Sequence, residues 1–305
     1  MTLRDLILTV LVPVIWGTSF CLAKPATEHF PQLFMLAVMY ALLAVVYTPF
    51  MREPVRTPFW TMAGLAAVAG SIQSILLFTG LSGIDASFAV LVLQIQVPFA
   101  VIASRLVVGE RIPWLRALGI LIAFGGIVTV LGLPAVTPPL LYAGLIVVAT
   151  LVWAFGQALL KRFGRDGAMR LIQLVAVHAA PQLAIASLFL ESGQIRSLQT
   201  AGALEWGSAA ILMIGGYTIG NSLWYYVMKR ARMDQVAPFL LLMPIVGVMV
   251  SALVLGDRIT MAHVVGGTIL LAGLAIVVMV KGEPGESAAP PAGERPATGP
   301  VRSTS

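Results

Sequence analysis

The chain has 305 residues, 59% of them hydrophobic and 10% charged, with a formal net charge of +6. Soluble domains carry about 25% charged residues, so a water-soluble globule is excluded, and a mean hydropathy of +0.95 agrees. The positive charges fall between apolar runs rather than along one face, which removes a nucleic-acid surface, and the single cysteine, Cys21, removes an intrachain disulfide or a cysteine-based metal cluster.

Apolar runs of roughly 20 residues, the length a helix needs to cross about 30 Å of hydrocarbon, recur along the whole chain. They predict an all-α membrane protein with ten spans, at 6–24, 32–51, 59–80, 86–108, 113–133, 139–161, 169–191, 207–228, 235–255 and 261–280. Arg4 followed by Leu6–Ala23 has the look of a signal peptide, but the apolar run is long and Trp16 is echoed in the second half, so it is read as a retained helix. The connections are short and carry turn residues such as Pro31, Pro54, Pro58, Gly83, Pro113 and Pro134. They leave no room for an extramembrane domain. Residues 282–305 hold five prolines and no aromatic residue, which predicts a disordered tail.

One stretch is written twice. Ser104–Gly126 (SRLVVGERIPWLRALGILIAFGG) returns 147 residues later as Ser251–Gly273 (SALVLGDRITMAHVVGGTILLAG), without a gap. Agreement of Leu, Val and Gly comes cheaply in apolar sequence, so the polar Gly-acid-Arg-Ile core carries the weight: Gly109-Glu110-Arg111-Ile112 against Gly256-Asp257-Arg258-Ile259. Trp16 and Lys24, eight apart, return as Trp153 and Lys161. Two related halves follow, 1–134 and 135–281, with 282–305 as the tail.

Sixteen of the 19 Lys and Arg residues fall on the side of the N-terminus, and only Lys24, Arg196 and Arg258 fall on the other. The positive-inside rule then puts both termini in the cytoplasm. Five spans per half is an odd number, so the second half enters the membrane upside down. Inverted repeats of this kind let two similar halves exchange roles, with the site at their interface.

Enzymatic machinery is missing from the pattern: no ligand-spaced His/Asp/Glu cluster, no nucleophile elbow and no phosphate loop, and every acid lies at or beyond a span end. Neither a metal nor another cofactor is expected. His178 is the only ionisable side chain near the middle of a span; it is a candidate proton carrier, although a neutral histidine bonded between helices near a break at Pro181 is the blander reading. Gln73 and Gln94 fall at similar depth in antiparallel spans, and Pro98, four after Gln94, deprives the Gln94 carbonyl of its helical partner. Pro244 stands at comparable depth in the other half, and broken helices at matching places mark a binding site.

Tyr217, Asn221 and Trp224 share one face of the eighth span, whereas Tyr225 and Tyr226 read as packing or belt residues. Trp16, Phe20 and Lys24 share a face of the first span, as do Trp153, Gln157 and Lys161 of the sixth. Both lysines are expected to snorkel to the interface. Glu110-Arg111 and Asp257-Arg258 are expected to cap the helices that follow them, as structural or gating elements.

Four segments carry a resemblance: I-W-G-T-S-F-x-x-x-K (Ile15–Lys24), L-V-L-Q-I-Q-V-P-F (Leu91–Phe99), V-V-G-E-R-I (Val107–Ile112) and A-P-F-L-L-L-M-P-I-V-G from Ala237. Over residues 5–280 the chain resembles the EamA-type exporters of the drug/metabolite transporter superfamily, and the V-L-Q-x-Q run is similar to the branch that exports cysteine and O-acetylserine. The resemblance implies ten helices in two inverted five-helix repeats around a central cavity, in a bacterial inner membrane. It implies export of a small molecule such as an amino acid or derivative, by alternating access and without a cofactor. The bilayer is then the principal partner, and a homodimer is compatible with such a chain. The rivals are a hydrophobic-drug extruder, which would tolerate loss of the amides, and a non-transporting membrane scaffold, which would need no polar cavity.

Overall fold

The computed structural model describes residues 2–48, 54–83, 92–131, 140–255 and 260–280. Among these residues every regular element is a helix. In chain order they are α1 (Leu3–Leu22), α2 (Lys24–His29), α3 (Gln32–Tyr47), α4 (Phe59–Leu81), α5 (Gln96–Val108), α6 (Trp114–Leu131), α7 (Leu140–Phe163), α8 (Ala168–Leu190), α9 (Gln194–Thr200), α10 (203–230), α11 (233–255) and α12 (Met261–Met279). Six runs are long and apolar enough to cross a membrane by length and composition: Leu3–Leu22, Phe59–Leu81, Leu140–Phe163, Ala168–Leu190, Met233–Val250 and Met261–Met279. Their outer faces are apolar as well, with Phe189 83% and Leu271 58% exposed, a pattern that suits hydrocarbon and not water.

Helices apolar on all sides gain little from burying more apolar surface, so close packing at small residues decides how they assemble. The duplicated stretch supplies these residues. Helices α6 and α12 cross antiparallel. A Cβ added to Gly126 would lie 2.6 Å from the Gly266 carbonyl, and one added to Gly119 would lie 2.9 Å from the Gly273 carbonyl. Gly266 and Gly273 are the copies of Gly119 and Gly126. Exchanging the halves therefore exchanges the two contacts. The remaining packing follows the same exchange: α3 lies on α8, α1 packs against α10 and α11, and α7 packs against α4 and α5.

The end at which α1, α4 and α8 begin is called the near end below, and the opposite end the far end. At each end a carboxylate flanking α8 holds backbone amides of the first half. Near the start of α8, Asp166 accepts from the Arg56 and Thr57 amides (2.9 and 3.0 Å) and from the Thr57 hydroxyl (2.5 Å). Past its end, Glu191 accepts from the Leu33 and Phe34 amides at 2.8 and 3.0 Å and so caps α3.

Burial pushes the Asp166 carboxyl up, but the Thr57 hydroxyl and the two amides outweigh it and hold the group below its ordinary value. A depressed carboxyl stabilises the fold above its unfolded pKa of about 3.9 and loses that contribution as pH falls through the folded value. Asp166→Asn is therefore expected to lower stability by about 1–3 kcal/mol at neutral pH. Melting curves of mutant and wild type in detergent should converge below about pH 4.

The helix ends depart from expectation in three places. Helix α8 runs unbroken through Pro181, so the missing amide leaves a local gap in the hydrogen-bond ladder and no break. The segment before α5 turns at residues 94–95, and α10 starts earlier than predicted, at Ala203. Asp257, Arg258 and the tail at 282–305 lie outside the described residues.

Candidate functional site

The middle of the molecule is aromatic. Trp16 from α1, Trp153 from α7 and Trp224 from α10 meet there, with ring centroids 5.9 Å apart for Trp16 and Trp224 and 5.6 Å for Trp153 and Trp224. Trp224, the central member, is 1% exposed. A buried indole N–H needs an acceptor, and Trp224 Nε1 donates to Gln157 Oε1 at 3.0 Å, an amide that is itself buried on α7. Trp16 Nε1 donates to the Gly216 carbonyl at 3.0 Å. Phe20, one turn beyond Trp16, is 46% exposed and stands outside this stack.

Gly216 belongs to an unusual stretch. Residues Leu212–Gly220 of α10 form a π-helix, as do Ala67–Ile72 of α4. The wide turn changes the hydrogen-bond ladder, so its carbonyls also meet side-chain donors. Besides Trp16 on the Gly216 carbonyl, the Thr218 hydroxyl donates to the Met213 carbonyl (2.9 Å), and the Thr218 carbonyl accepts from Tyr47 Oη (3.4 Å) and from the Ser222 hydroxyl. These two π segments lie in corresponding helices of the two halves, and a third, Ser104–Val108, ends α5. Each of the corresponding pair ends at an amide residue: Gln73 follows the one in α4 and Asn221 the one in α10.

The proline breaks also correspond. Pro98 is the third residue of the helical segment Gln96–Ala103, and Pro244 is the third residue of Leu242–Leu255. In a first turn proline sacrifices no amide that the helix would have used. In α11 a 3-10 turn, Ala237–Leu241, precedes the break. Gln94, 4% exposed, sits in the turn before α5. Its carbonyl is not left open as expected, because the Val97 amide donates to it at 3.1 Å in a tighter i+3 turn.

Around this centre the structure adds phenols that sequence reasoning passed over. Tyr40 of α3 meets Tyr217 edge to face at 5.4 Å, and Tyr40 lies within electrostatic reach of both Tyr217 and Tyr225. Tyr225 is buried with its hydroxyl beside Gln157, so it is a central residue and not a belt residue. Tyr226 does sit at the edge, under the guanidinium groups of Arg4 and Arg230. Tyr47 shares a 2.5 Å hydrogen bond with the Ser222 hydroxyl. Tyr40 and Tyr47 are seven residues apart in an apolar helix, a one-face spacing that was the available signal.

His178 is placed elsewhere. Its Nδ1 lies 2.7 Å from the Leu174 carbonyl of its own helix, and its ring lies 4.9 Å from Phe59, which is 62% exposed. It is 8% exposed, packs against Phe59 of α4, and does not bond between helices.

The Glu110-Arg111 motif does not cap the helix that follows it, and its copy Asp257-Arg258 lies outside the described residues. Glu110, held in a turn that Gly109 can make at a φ of 82°, accepts from the Met233 amide at 3.1 Å and the Asp234 amide at 3.4 Å. It thus caps α11, in the other half. Lys161 does not snorkel: its Nζ donates to Glu110 Oε1 at 2.8 Å and to the Ala231 carbonyl at 2.7 Å. The Arg111 carbonyl accepts from Arg232. At the far end a cavity of about 840 Å³ opens between α2, α3, α4, α8 and α9, lined by Thr27, Gln32, Thr79, Ser82, Glu191 and Arg196 among others. Among the described residues no group of three or more His, Cys, Asp or Glu side chains could hold a metal ion.

Three comparisons bear on this arrangement. The family model of EamA-like transporters matches residues 3–132 and again residues 140–279. The chain belongs to the EamA-like transporter family. It is therefore a membrane transporter and not an enzyme, and its partners are a small-molecule substrate and the lipid bilayer. Among EamA relatives, a protein described as a probable amino-acid metabolite efflux pump of Escherichia coli (strain K12) is 28% identical over 287 residues, covering 91% of this chain and 96% of that one. Its namesake in Salmonella typhimurium (strain LT2) is 27% identical over the same shares. An uncharacterized transporter of Archaeoglobus fulgidus is 24% identical over 90% of this chain and 99% of its own length. A solved crystal structure shares the fold, with a TM-score of 0.78 at 18% identity, over 90% of this chain and 96% of that one.

Proposed function

We propose that this EamA-family transporter exports small metabolites, amino acids or close derivatives, from a bacterial cytoplasm through the inner membrane. It works by alternating access between two inverted five-span halves. The observation that carries the reading is the Gln157–Trp224 hydrogen bond amid three indoles, an amide and aromatic centre to which helices of both halves contribute. Inversion is supported by the exchange-symmetric glycine contacts between α6 and α12, by the two successive family matches, and by π segments and prolines at corresponding places. Cation placement supports a cytoplasmic near end, where Arg56, Arg116, Lys161, Arg165 and Lys229 gather.

Gln73, Gln94, Gln157 and Asn221 would take the polar groups of the substrate, with Trp16, Trp153, Tyr217 and Trp224 shaping the space around it. A zwitterion suits a site of hydrogen-bond partners and half-helix dipoles without a fixed counter-charge. His178, against α4, is poorly placed to carry a proton for the central site, which favours facilitated movement or exchange. The names of the Escherichia coli and Salmonella relatives favour amino-acid metabolites, and the cysteine/O-acetylserine class is the first to test.

The test is efflux from proteoliposomes loaded with a panel of labelled amino acids, with and without a pH gradient. Gln94→Ala is expected to impair efflux while leaving membrane insertion intact. Gln157→Leu strips the buried Trp224 N–H of its acceptor, a loss of about 1–3 kcal/mol, and should lower flux by at least about tenfold. Wild-type flux in both variants, together with failure on Trp153→Ala, would replace the metabolite reading with a hydrophobic-drug extruder.

A further inference from the structure

Among the described residues, the ion pairs that join the two halves lie at the near end, where two of them are buried; at the far end Glu191 holds the Leu33 and Phe34 amides beside a cavity. Arg116 of α6 and Asp234 of α11 form an ion pair with both side chains 0% exposed, and Arg116 also donates to the Val280 carbonyl at 2.6 Å, just past α12. One layer over, Lys161 of α7 bridges Glu110 and the Ala231 carbonyl, while Glu110 caps α11. The Lys161 and Glu110 side chains are 14% and 9% exposed. Arg162 donates to the Val107 carbonyl beside them. The ends of α5, α6, α7, α10, α11 and α12 are thus drawn together.

At the far end a cavity opens between α2, α3, α4, α8 and α9, while Asp257, the copy of Glu110, lies outside the described residues. The 840 Å³ cavity there is floored by Leu33 and Phe78. Both residues belong to an apolar cluster with Leu36, Ala37 and Leu183, and Tyr40 and Tyr217 pack against that same cluster. Between the cavity and the phenols of the central site stands apolar side-chain packing, without an ion pair in that cluster.

We infer that the Glu110–Lys161 pair, with the α11 amides that Glu110 caps, is the latch that keeps the cytoplasmic end shut. It sets the substrate-free resting state of the transporter as one that faces outward. The inference rests on the alternating-access reading and adds to it which end is closed at rest and which contact closes it. Lys161 touches three elements at once: its own helix, the Glu110 turn of the first half and the Ala231 turn ahead of α11. Opening the near end means parting the Glu110 turn from the Ala231 turn, and no route does so without breaking at least one of the two Lys161 bonds. The latch is partly shielded from water, so its charge-assisted bonds are worth more than those of an exposed pair. The Arg116–Asp234 pair is deeper still and holds α6 and α11 as a foundation on which the latch is mounted.

The test places single cysteine probes in full-length protein carrying Cys21→Ala. One probe, Thr79→Cys, lines the far-end cavity; the other, Ala158→Cys, is fully buried three residues before Lys161. Labelling by a membrane-impermeant maleimide is followed in right-side-out and inside-out membrane vesicles without substrate. With the latch intact, Thr79→Cys should label quickly from outside and Ala158→Cys slowly from inside. Adding Lys161→Met, or Glu110→Gln in a separate variant, should speed labelling at Ala158→Cys by about tenfold or more and slow it at Thr79→Cys. A variant that had merely loosened would label faster at both probes, and that result, like unchanged rates at both, overturns the latch. Efflux measured on the same wild-type preparation separates the two readings: flux without the opposed labelling changes removes the latch and keeps the exporter.

Discussion

Asp234→Ala should destabilise the protein by about 3–5 kcal/mol, the usual penalty for removing one partner of a buried ion pair. Asp234 and Arg116 are both 0% exposed. Without the carboxylate the guanidinium keeps only the Val280 carbonyl as a strong acceptor, in a place that water does not reach. Arg232, which also donates to Asp234 at 3.0 Å, would lose that contact too and keep the Arg111 carbonyl. The double variant Arg116→Met with Asp234→Leu should recover most of the loss, because two apolar side chains of similar volume leave no uncompensated charge. Unfolding by titration with a denaturing detergent, carried through the full double-mutant cycle, reads the coupling. A single Asp234→Ala variant as stable as wild type would show that the pair is solvated.

The second large effect is at the helix crossing. Gly126→Val should lower stability by about 1–3 kcal/mol or more, in the range of overpacked cores, whereas Gly125→Ala should be neutral or stabilising by about 0.5–1 kcal/mol, the helix propensity gain. The two glycines are neighbours in one helix, and only their facing differs. A Cβ at Gly126 would stand 2.5 Å from the Leu270 amide nitrogen and 2.6 Å from the Gly266 carbonyl, both backbone atoms of α12 that cannot rotate away. A Cβ at Gly125 meets nothing within 4 Å. Thermal melts of the three proteins in one detergent test this directly. Equal melting temperatures for Gly126→Val and wild type would mean that α6 and α12 do not cross there.

Much of the fold was readable because apolar sequence has few ways to be informative and this chain uses them. A Gly-acid-Arg-Ile core does not recur by chance between leucines, so the duplicated stretch stood out, and its glycines turn out to be the ones that let α6 and α12 touch. The indoles and amides were found for a similar reason: polar groups at mid-depth are costly in lipid and stand out. The misreadings share a cause of their own. Lys161 was expected to reach for the interface because its partners, Glu110 and Ala231, lie 51 and 70 residues away in sequence. Glu110 was expected to cap the helix beside it, yet the amides it meets belong to α11. The π segments are invisible to periodicity, since what holds the one in α10 is an indole from α1 and a phenol from α3. Long-range partners are the part of a membrane fold that local patterning does not encode.

The crossing of α6 and α12 maps onto itself when the halves are exchanged, and this bears on how such a machine keeps time. An axle built that way resists a swing toward either side of the bilayer equally, so it favours neither. Any preference must come from the fastenings at the rims, among them the buried Arg116–Asp234 and Glu110–Lys161 pairs at one and the Glu191 cap on α3 at the other. Under the alternating access proposed above, that preference would fix how long the carrier waits facing each compartment, and hence its half-saturation on each side. Detailed balance forbids it from choosing the direction of net flow, which stays with the gradients of whatever is carried.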